Sequence, residues 1–373
     1  MENTMKAARI HSLGSPLELE NVPLPTLGDE DVLIEVKAVH VAQYHTAAML
    51  RTEHSLNIYP PTFPAILGMG GAGNISQIGS NVNGFQEGER VVINPILTCG
   101  TCEYCMDNRP GLCDMWVLHG YYALYKPNGV PLLENYPGGF AQYVKVPARN
   151  VVRIHDNIPY EQAARFNYTG ISYEALKNGG FRPGMTVLIN GSTGVLGTEG
   201  VLLSLAMGAA KVIATGRNRE RLAKIKELNP ERVFTILLGE ESIVPSIKEF
   251  TDGKGVHLYL DTMGSVAGQE SPIQSVHDCL DGLKKGGTAV FIGSMQNHDV
   301  KYNYEYYIGN AIKIMGSVWY NNQSLSELVN MAAAGTLKLS NYDTKTFSLE
   351  HVNEAFDFAD QRTGGLNNII VKP

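Results

Sequence analysis

The feature that most constrains the fold lies in the middle of the chain. Met185-Thr-Val-Leu-Ile-Asn190 reads as a buried strand, Gly191-Ser-Thr-Gly194-Val-Leu-Gly197 as a turn, the stretch to Met207 as a helix, and Lys211-Val-Ile-Ala-Thr215 as a second strand. Strand, glycine turn, helix and strand form a βαβ unit, which commits this region to a parallel sheet covered by helices. Glycines in such a turn let the backbone approach a pyrophosphate. The helix that follows offers it amide N–H groups and a positive dipole end. Gly191, Ser192, Thr193, Gly194, Val195 and Gly197 are therefore candidate coenzyme contacts. Further β/α units at Val256–Asp261 and Gly287–Gly293 add Asp261 and Gly293 to that set.

The end of the second strand speaks to coenzyme choice. An NAD-specific unit ends this strand in Asp or Glu, which accepts both ribose hydroxyls. Here the sequence is Ala214-Thr215-Gly216-Arg217-Asn218-Arg219, with Gly216 in place of the acid. No carboxylate repels a 2′-phosphate, and Arg217 or Arg219 can pair with one, so NADPH is expected over NADH.

Four of the five cysteines, Cys99, Cys102, Cys105 and Cys113, crowd into one short segment; the fifth, Cys279, reads as a small core residue. The C-x2-C-x2-C-x7-C spacing lets a looped segment wrap four thiolates around one tetrahedral Zn²⁺ and leaves no open position, so such a site is structural. Around it the chain alternates in period two, as in Asp31–His40, Arg90–Asn94 and Phe140–Val146, with glycine and proline between, which points to a barrel-like domain of short strands. A length of 373 residues accommodates two such domains. The net charge of −7 argues against a nucleic-acid partner recruited by bulk charge. No apolar run reaches the ~18 residues of a membrane helix. The first ten residues lack a signal-peptide core, so the expected location is the cytoplasm.

In this order the pieces resemble the medium-chain dehydrogenase/reductase family, in its zinc alcohol dehydrogenase branch. The resemblance runs through Met5–Ala8, Pro23–Pro25, Gly71–Gly73, Gly88–Val91, the cysteine lobe, the βαβ glycines and Leu283–Gly287. It implies an α/β protein: a chaperonin-10-like β-barrel catalytic domain over 1–165 and 317–373, with its zinc lobe near 95–115, and a doubly wound Rossmann domain over 166–316. It also implies hydride transfer between a nicotinamide and a small molecule, in a homodimer or homotetramer. Pro95, Phe140, Tyr168 and Ser294 match positions that face the substrate; Trp116, His119 and Trp319 are weaker matches, with core packing the alternative for the two tryptophans.

The departures from the family pattern concern the catalytic metal. Ala42 stands at the first Cys position, Met69 and Gly70 at the His-Glu pair, and Arg165 at the last Cys position. A guanidinium does not share a pocket with Zn²⁺, so one structural zinc and no catalytic zinc are expected. Tyr44, at the place of the proton-relay Ser or Thr, is a candidate proton donor or a packed tyrosine; His45 and His40 are further candidates. Arg165 either holds an oxyanion or carboxylate, or pairs with Glu161 one turn earlier. Three functions stay open: an NADPH-dependent reductase of a small carbonyl or activated C=C or C=N substrate, an NAD(H)-linked alcohol dehydrogenase, and a nucleotide-binding pseudoenzyme with a regulatory or structural role.

Overall fold

The computed structural model describes residues 4–41, 58–124, 127–264, 273–294 and 298–373. Its first half is built of short, mostly antiparallel strands. The strand Asp31–His40 is the hub: it pairs with Gly71–Ile78, with Tyr143–Pro147 and with the C-terminal strand Asn367–Lys372. Gly71–Ile78 continues to Arg90–Ile93 and on to Val151–Arg153. These partners flank the hub on both edges, and eight of its ten residues are buried although its sequence alternates. The pairing of Val371 with Val39 brings the end of the chain back into the barrel.

Between these segments lies a six-stranded parallel sheet. Its spatial order is Val233–Leu237, Lys211–Gly216, Thr186–Asn190, Val256–Asp261, Leu283–Phe291, Lys313–Gly316. Order reverses between Thr186–Asn190 and Val256–Asp261, and ligands of such sheets bind outside the carboxyl ends of the strands at that reversal. The apolar strand sequences follow from burial on both faces. The helices Phe166–Asn178 and Val195–Ala206 pack on each other over one face, in a core continuous with the barrel. The helices Ile243–Phe250 and Ile273–Asp281 cover the other, with Cys279 fully buried among them. No helix among the described residues is long and apolar enough to cross a membrane.

A buried ion pair joins the two halves. Arg165, just before the helix Phe166–Asn178, has no exposed surface, and neither has Glu199. Arg165 Nε donates to Glu199 Oε1 at 2.6 Å, Nη1 to the Asn367 carbonyl at 2.8 Å and Nη2 to the Gly365 carbonyl. Tyr342 lies 4.3 Å beneath the guanidinium and donates its hydroxyl to Glu199 Oε2 at 2.7 Å. The partner expected one turn earlier, Glu161, pairs instead with Lys372. Arg165 and the two carbonyls belong to barrel connections, whereas Glu199 sits on the helix after the glycine turn, so the pair staples one domain to the other.

A buried pair of this kind is costly to break from one side, because the remaining charge stays desolvated, at about 3–5 kcal/mol. Glu199→Gln is therefore expected to lower the melting temperature by several degrees. Replacing both partners, Arg165→Met with Glu199→Leu, should lower it less. Unchanged melting of Glu199→Gln would contradict this account of the staple.

Candidate functional site

The carboxyl ends of the parallel strands form the coenzyme side. The helix Val195–Ala206 starts at Gly194 with no side-chain cap, so its first amides are left for another acceptor. Gly197 is required there: a Cβ would lie 2.2 Å from the Gly191 carbonyl oxygen, so any side chain would push the helix off the turn. Gly194 is exposed, with Thr193 and Val195 half-buried beside it. The Ser192 hydroxyl and amide both donate to the Thr215 carbonyl, at 2.8 and 2.9 Å, and its carbonyl accepts from Thr198 Oγ1 at 3.0 Å, so this buried residue braces the turn from within. Gly216 ends its strand packed against Thr193 and Leu222. Arg217 and Arg219 follow on the surface, Arg219 in an exposed pair with Glu240. Arg221, which the sequence reading did not single out, lies against Gly364 of the C-terminal connection.

Asp261 is a correction. Expected as a coenzyme contact, its carboxylate is turned inward instead and accepts from Tyr259 Oη at 2.7 Å and Asn190 Nδ2 at 3.1 Å inside the sheet. Burial pushes its pKa up to about 6 against those two hydrogen bonds. Asn190 Oδ1 in turn accepts from Thr215 Oγ1 at 2.6 Å, so the strand ends close around a satisfied polar cluster. Gly293 stands where its strand crowds the next: a Cβ would meet the Met263 carbonyl oxygen at 1.9 Å.

On the barrel side the site centres on the Met69–Gly70 turn. Gly70 has φ +59°, and a Cβ there would lie 2.9 Å from Asn167 Nδ2 and 3.1 Å from the Ile93 carbonyl oxygen. Asn167 Nδ2 donates to the Met69 carbonyl at 2.7 Å, and both residues are fully buried. The residue facing this turn is thus Asn167, two positions beyond Arg165, whose guanidinium is sealed in the pair with Glu199. Arg165 touches no cleft, which corrects its assignment as a substrate contact. His119 closes the turn from the other side. Its Nε2–H donates to the Pro137 carbonyl at 2.9 Å and Nδ1 accepts from the Gly70 amide at 3.3 Å. Burial lowers its pKa to about 4, so it stays neutral.

The remaining expected contacts divide. Phe140 is corrected to barrel core, wholly buried and edge-on to Phe356 at 5.6 Å. Pro95 is buried, and its carbonyl accepts from the His119 amide. Tyr168 and His40 face each other at 5.4 Å. Trp116 packs at 5.8 Å from Trp319, and Trp319 at 6.4 Å from Tyr320. The Tyr320 ring lies on Gly170, where a Cβ would come within 2.5 Å of Cε1. Ser294 is half-buried beyond the end of its strand. Ala42, Tyr44 and His45 lie outside the described residues. Asn167 was missed because the last Cys position was placed at Arg165. The signal that finds it is its i, i+3 spacing from Gly170, the residue over which Tyr320 packs.

The four thiols of the lobe converge: Cys99, Cys102, Cys105 and Cys113 Sγ all lie within 4.8 Å of one another. Tetrahedral Zn–S bonds of about 2.3 Å require S···S edges of about 3.8 Å; here Cys99–Cys105 is 3.9 Å, Cys102–Cys105 3.5 Å and Cys113–Cys99 3.6 Å. The donor set therefore fits one zinc ion. Arg149 Nη2 to the Thr98 carbonyl (3.0 Å) and Asn321 Nδ2 to the Asn108 carbonyl (3.1 Å) hold the lobe to the barrel and to the Trp319–Asn321 segment.

Comparison with known proteins agrees with this architecture. Residues 28–156 match the alcohol dehydrogenase GroES-like domain family and residues 195–334 the zinc-binding dehydrogenase family. An alcohol dehydrogenase of Geobacillus stearothermophilus is 31% identical over 355 residues, covering 95% of each chain. The sorbitol dehydrogenase of Bacillus subtilis (strain 168) is 28% identical over 375 residues, covering 99% of this chain and 97% of that protein. Among solved structures, a zinc-binding dehydrogenase from Sinorhizobium meliloti 1021 bound to NADP superposes with TM-score 0.83 over the full length of both chains, at 23% identity. With both domains matched and their order kept over nearly the whole length, the chain belongs to the medium-chain dehydrogenase/reductase family, in its zinc alcohol dehydrogenase-like branch.

Proposed function

We propose that this oxidoreductase is an NADPH-dependent reductase whose hydride-transfer site works without a catalytic metal and whose only zinc is held by the cysteine lobe. The observation that carries this reading is the packing at Gly70. In the family pattern that position bears a carboxylate beside a metal-binding histidine. Here the backbone is in the left-handed region, and the Asn167 amide stands 2.9 Å from where a side chain would begin. Met69 replaces the histidine and is fully buried. A thioether, a glycine and a carboxamide are a poor donor set for Zn²⁺, which takes thiolate, imidazole and carboxylate.

NADPH, when bound, supplies hydride from its nicotinamide. The chain's part is to bind, orient and exclude water. The uncapped first amides of the helix Val195–Ala206 and its positive end would receive the pyrophosphate, while the Gly194 amide is spent on the Gly191 carbonyl. Gly216 carries no carboxylate to repel a 2′-phosphate, and the exposed Arg217 and Arg219 that follow it are the residues that would pair with one. Without a Lewis acid the substrate must be one whose charge is delocalised or already positive, an enone, quinone or imine, or must meet hydrogen-bond donors.

Cys99, Cys102, Cys105 and Cys113 fill all four zinc positions, so that ion braces the lobe and does no chemistry. Cys102→Ser is expected to lower zinc content and melting temperature together, and full zinc with unaltered melting would overturn the assignment.

The coenzyme reading is tested by titrating the purified protein with both nucleotides. NADPH is expected to bind about 10- to 100-fold tighter than NADH, the equivalent of one charge-assisted hydrogen bond. Arg217→Ala with Arg219→Ala should remove most of that difference. Tighter binding of NADH by the unmodified protein would favour an NAD(H)-linked dehydrogenase. No coenzyme oxidation with aldehydes, ketones, enones, quinones or imines would contradict the reductase reading altogether.

A further inference from the structure

Three buried polar atoms of the barrel-side site have no hydrogen-bond partner among the described residues: Asn167 Oδ1, Trp116 Nε1 and Tyr320 Oη. Leaving such atoms unmet is costly, and three of them together beside the turn call for a partner. The direction of the Asn167 amide is set by its own packing. Nδ2 is committed to the Met69 carbonyl, which leaves Oδ1, an acceptor only, as the free polar atom beside the Met69–Gly70 turn. Tyr320 stands one helical turn along, over Gly170, and continues into Trp319 and Trp116.

The charges around this site point the same way. Arg165 is sealed in its pair with Glu199 and carries no charge into the cleft. His119 spends Nε2–H on Pro137 and Nδ1 on Gly70, and is neutral. What remains among the described residues is a carboxamide oxygen, the Trp116 and Tyr320 donors set apart from it on a run of aromatic rings, and the His40–Tyr168 pair. A ring face attracts a cation. An amide oxygen attracts an N–H⁺ and repels a carbonyl oxygen.

We propose that the hydride acceptor is a planar protonated imine, whose N–H⁺ is held by Asn167 Oδ1 and whose flat skeleton lies against Tyr320, Trp319 and Trp116. The proposal rests on the reductase reading above and names its substrate class. The step balances without further groups. Hydride from NADPH adds its electron pair to the imine carbon, the C=N π pair moves onto nitrogen, and the products are a neutral amine that keeps its N–H and NADP⁺. No proton is delivered and no oxyanion forms, so neither a metal nor an acid is needed at the reacting bond. The two donors, Trp116 Nε1–H and Tyr320 Oη–H, serve an acceptor carried elsewhere on the same molecule. Asn167 acts as a positioning residue. Because positive charge on nitrogen falls as hydride arrives, its hydrogen bond is strongest in the bound substrate and appears mainly in KM.

The test compares 2-methyl-1-pyrroline with cyclopentanone and 2-cyclopentenone, following NADPH oxidation by the wild-type protein at a pH where the imine is protonated. The imine is expected to have a kcat/KM at least about tenfold above either oxygen compound. Asn167→Leu should raise the imine KM about 10- to 100-fold and change kcat only a few-fold, with NADPH affinity retained as the check on folding. Turnover of the ketone or enone with the imine inert would overturn this proposal and leave the reductase reading standing. Inertness of all three would count against both. A loss confined to kcat in Asn167→Leu would also overturn the positioning role.

Discussion

The structure of the site follows from one steric constraint. Gly70 turns with a positive φ into a space that the Asn167 amide already fills, and no side chain can grow from it without displacing that amide or the Ile93 carbonyl. The consequences spread outward. The Gly70 amide points at His119, which must stay neutral to accept from it. The Met69 carbonyl is taken by Asn167, which fixes which end of that carboxamide is free. The turn itself carries a thioether and a hydrogen atom, and neither is a ligand that Zn²⁺ favours.

A second constraint ties this site to the coenzyme. The helix that starts at the glycine turn carries Glu199 in its second turn, and that carboxylate is gripped by Arg165 and Tyr342. The guanidinium also holds the carbonyls of Gly365 and Asn367, and the Gly365 amide donates to the Thr193 carbonyl at 2.9 Å. The C-terminal connection is thereby pinned directly on the turn expected to cradle the pyrophosphate. Gly365 allows it: a Cβ would lie 2.2 Å from the Gly194 carbonyl oxygen. The barrel side and the nucleotide side are set at a fixed spacing by buried hydrogen bonds, which is the geometry that hydride transfer between them needs.

Much of this was legible in the residues because local pattern and tertiary role agree. The strands expected at Asp31–His40, Lys211–Thr215 and Val256–Asp261 form within a residue of those bounds, since alternation or apolar runs bounded by glycine and proline leave little choice. The four cysteines meet because their spacing closes one loop. What was not legible depended on distant partners. Nothing near Arg165 announces that its counter-charge is Glu199, 34 residues on, rather than Glu161. Asp261 sits at a strand end suited to a ribose, yet Tyr259 and Asn190 draw it inward. Phe140 lies in the expected segment but faces the barrel core. The side chain that faces the Met69–Gly70 turn is Asn167, two residues beyond Arg165, and on a helix two residues is a little more than half a turn, enough to send the two side chains to opposite sides.

The account turns on what occupies the Met69–Gly70–Asn167 corner in solution. A metal count on the purified full-length chain, made after saturating zinc and removal of loosely bound ions, addresses it most directly. One tightly held zinc per chain, with coenzyme-dependent turnover surviving a chelator that does not strip the lobe, is the predicted result. A second ion seated at that corner, on whose removal turnover stops, would contradict it.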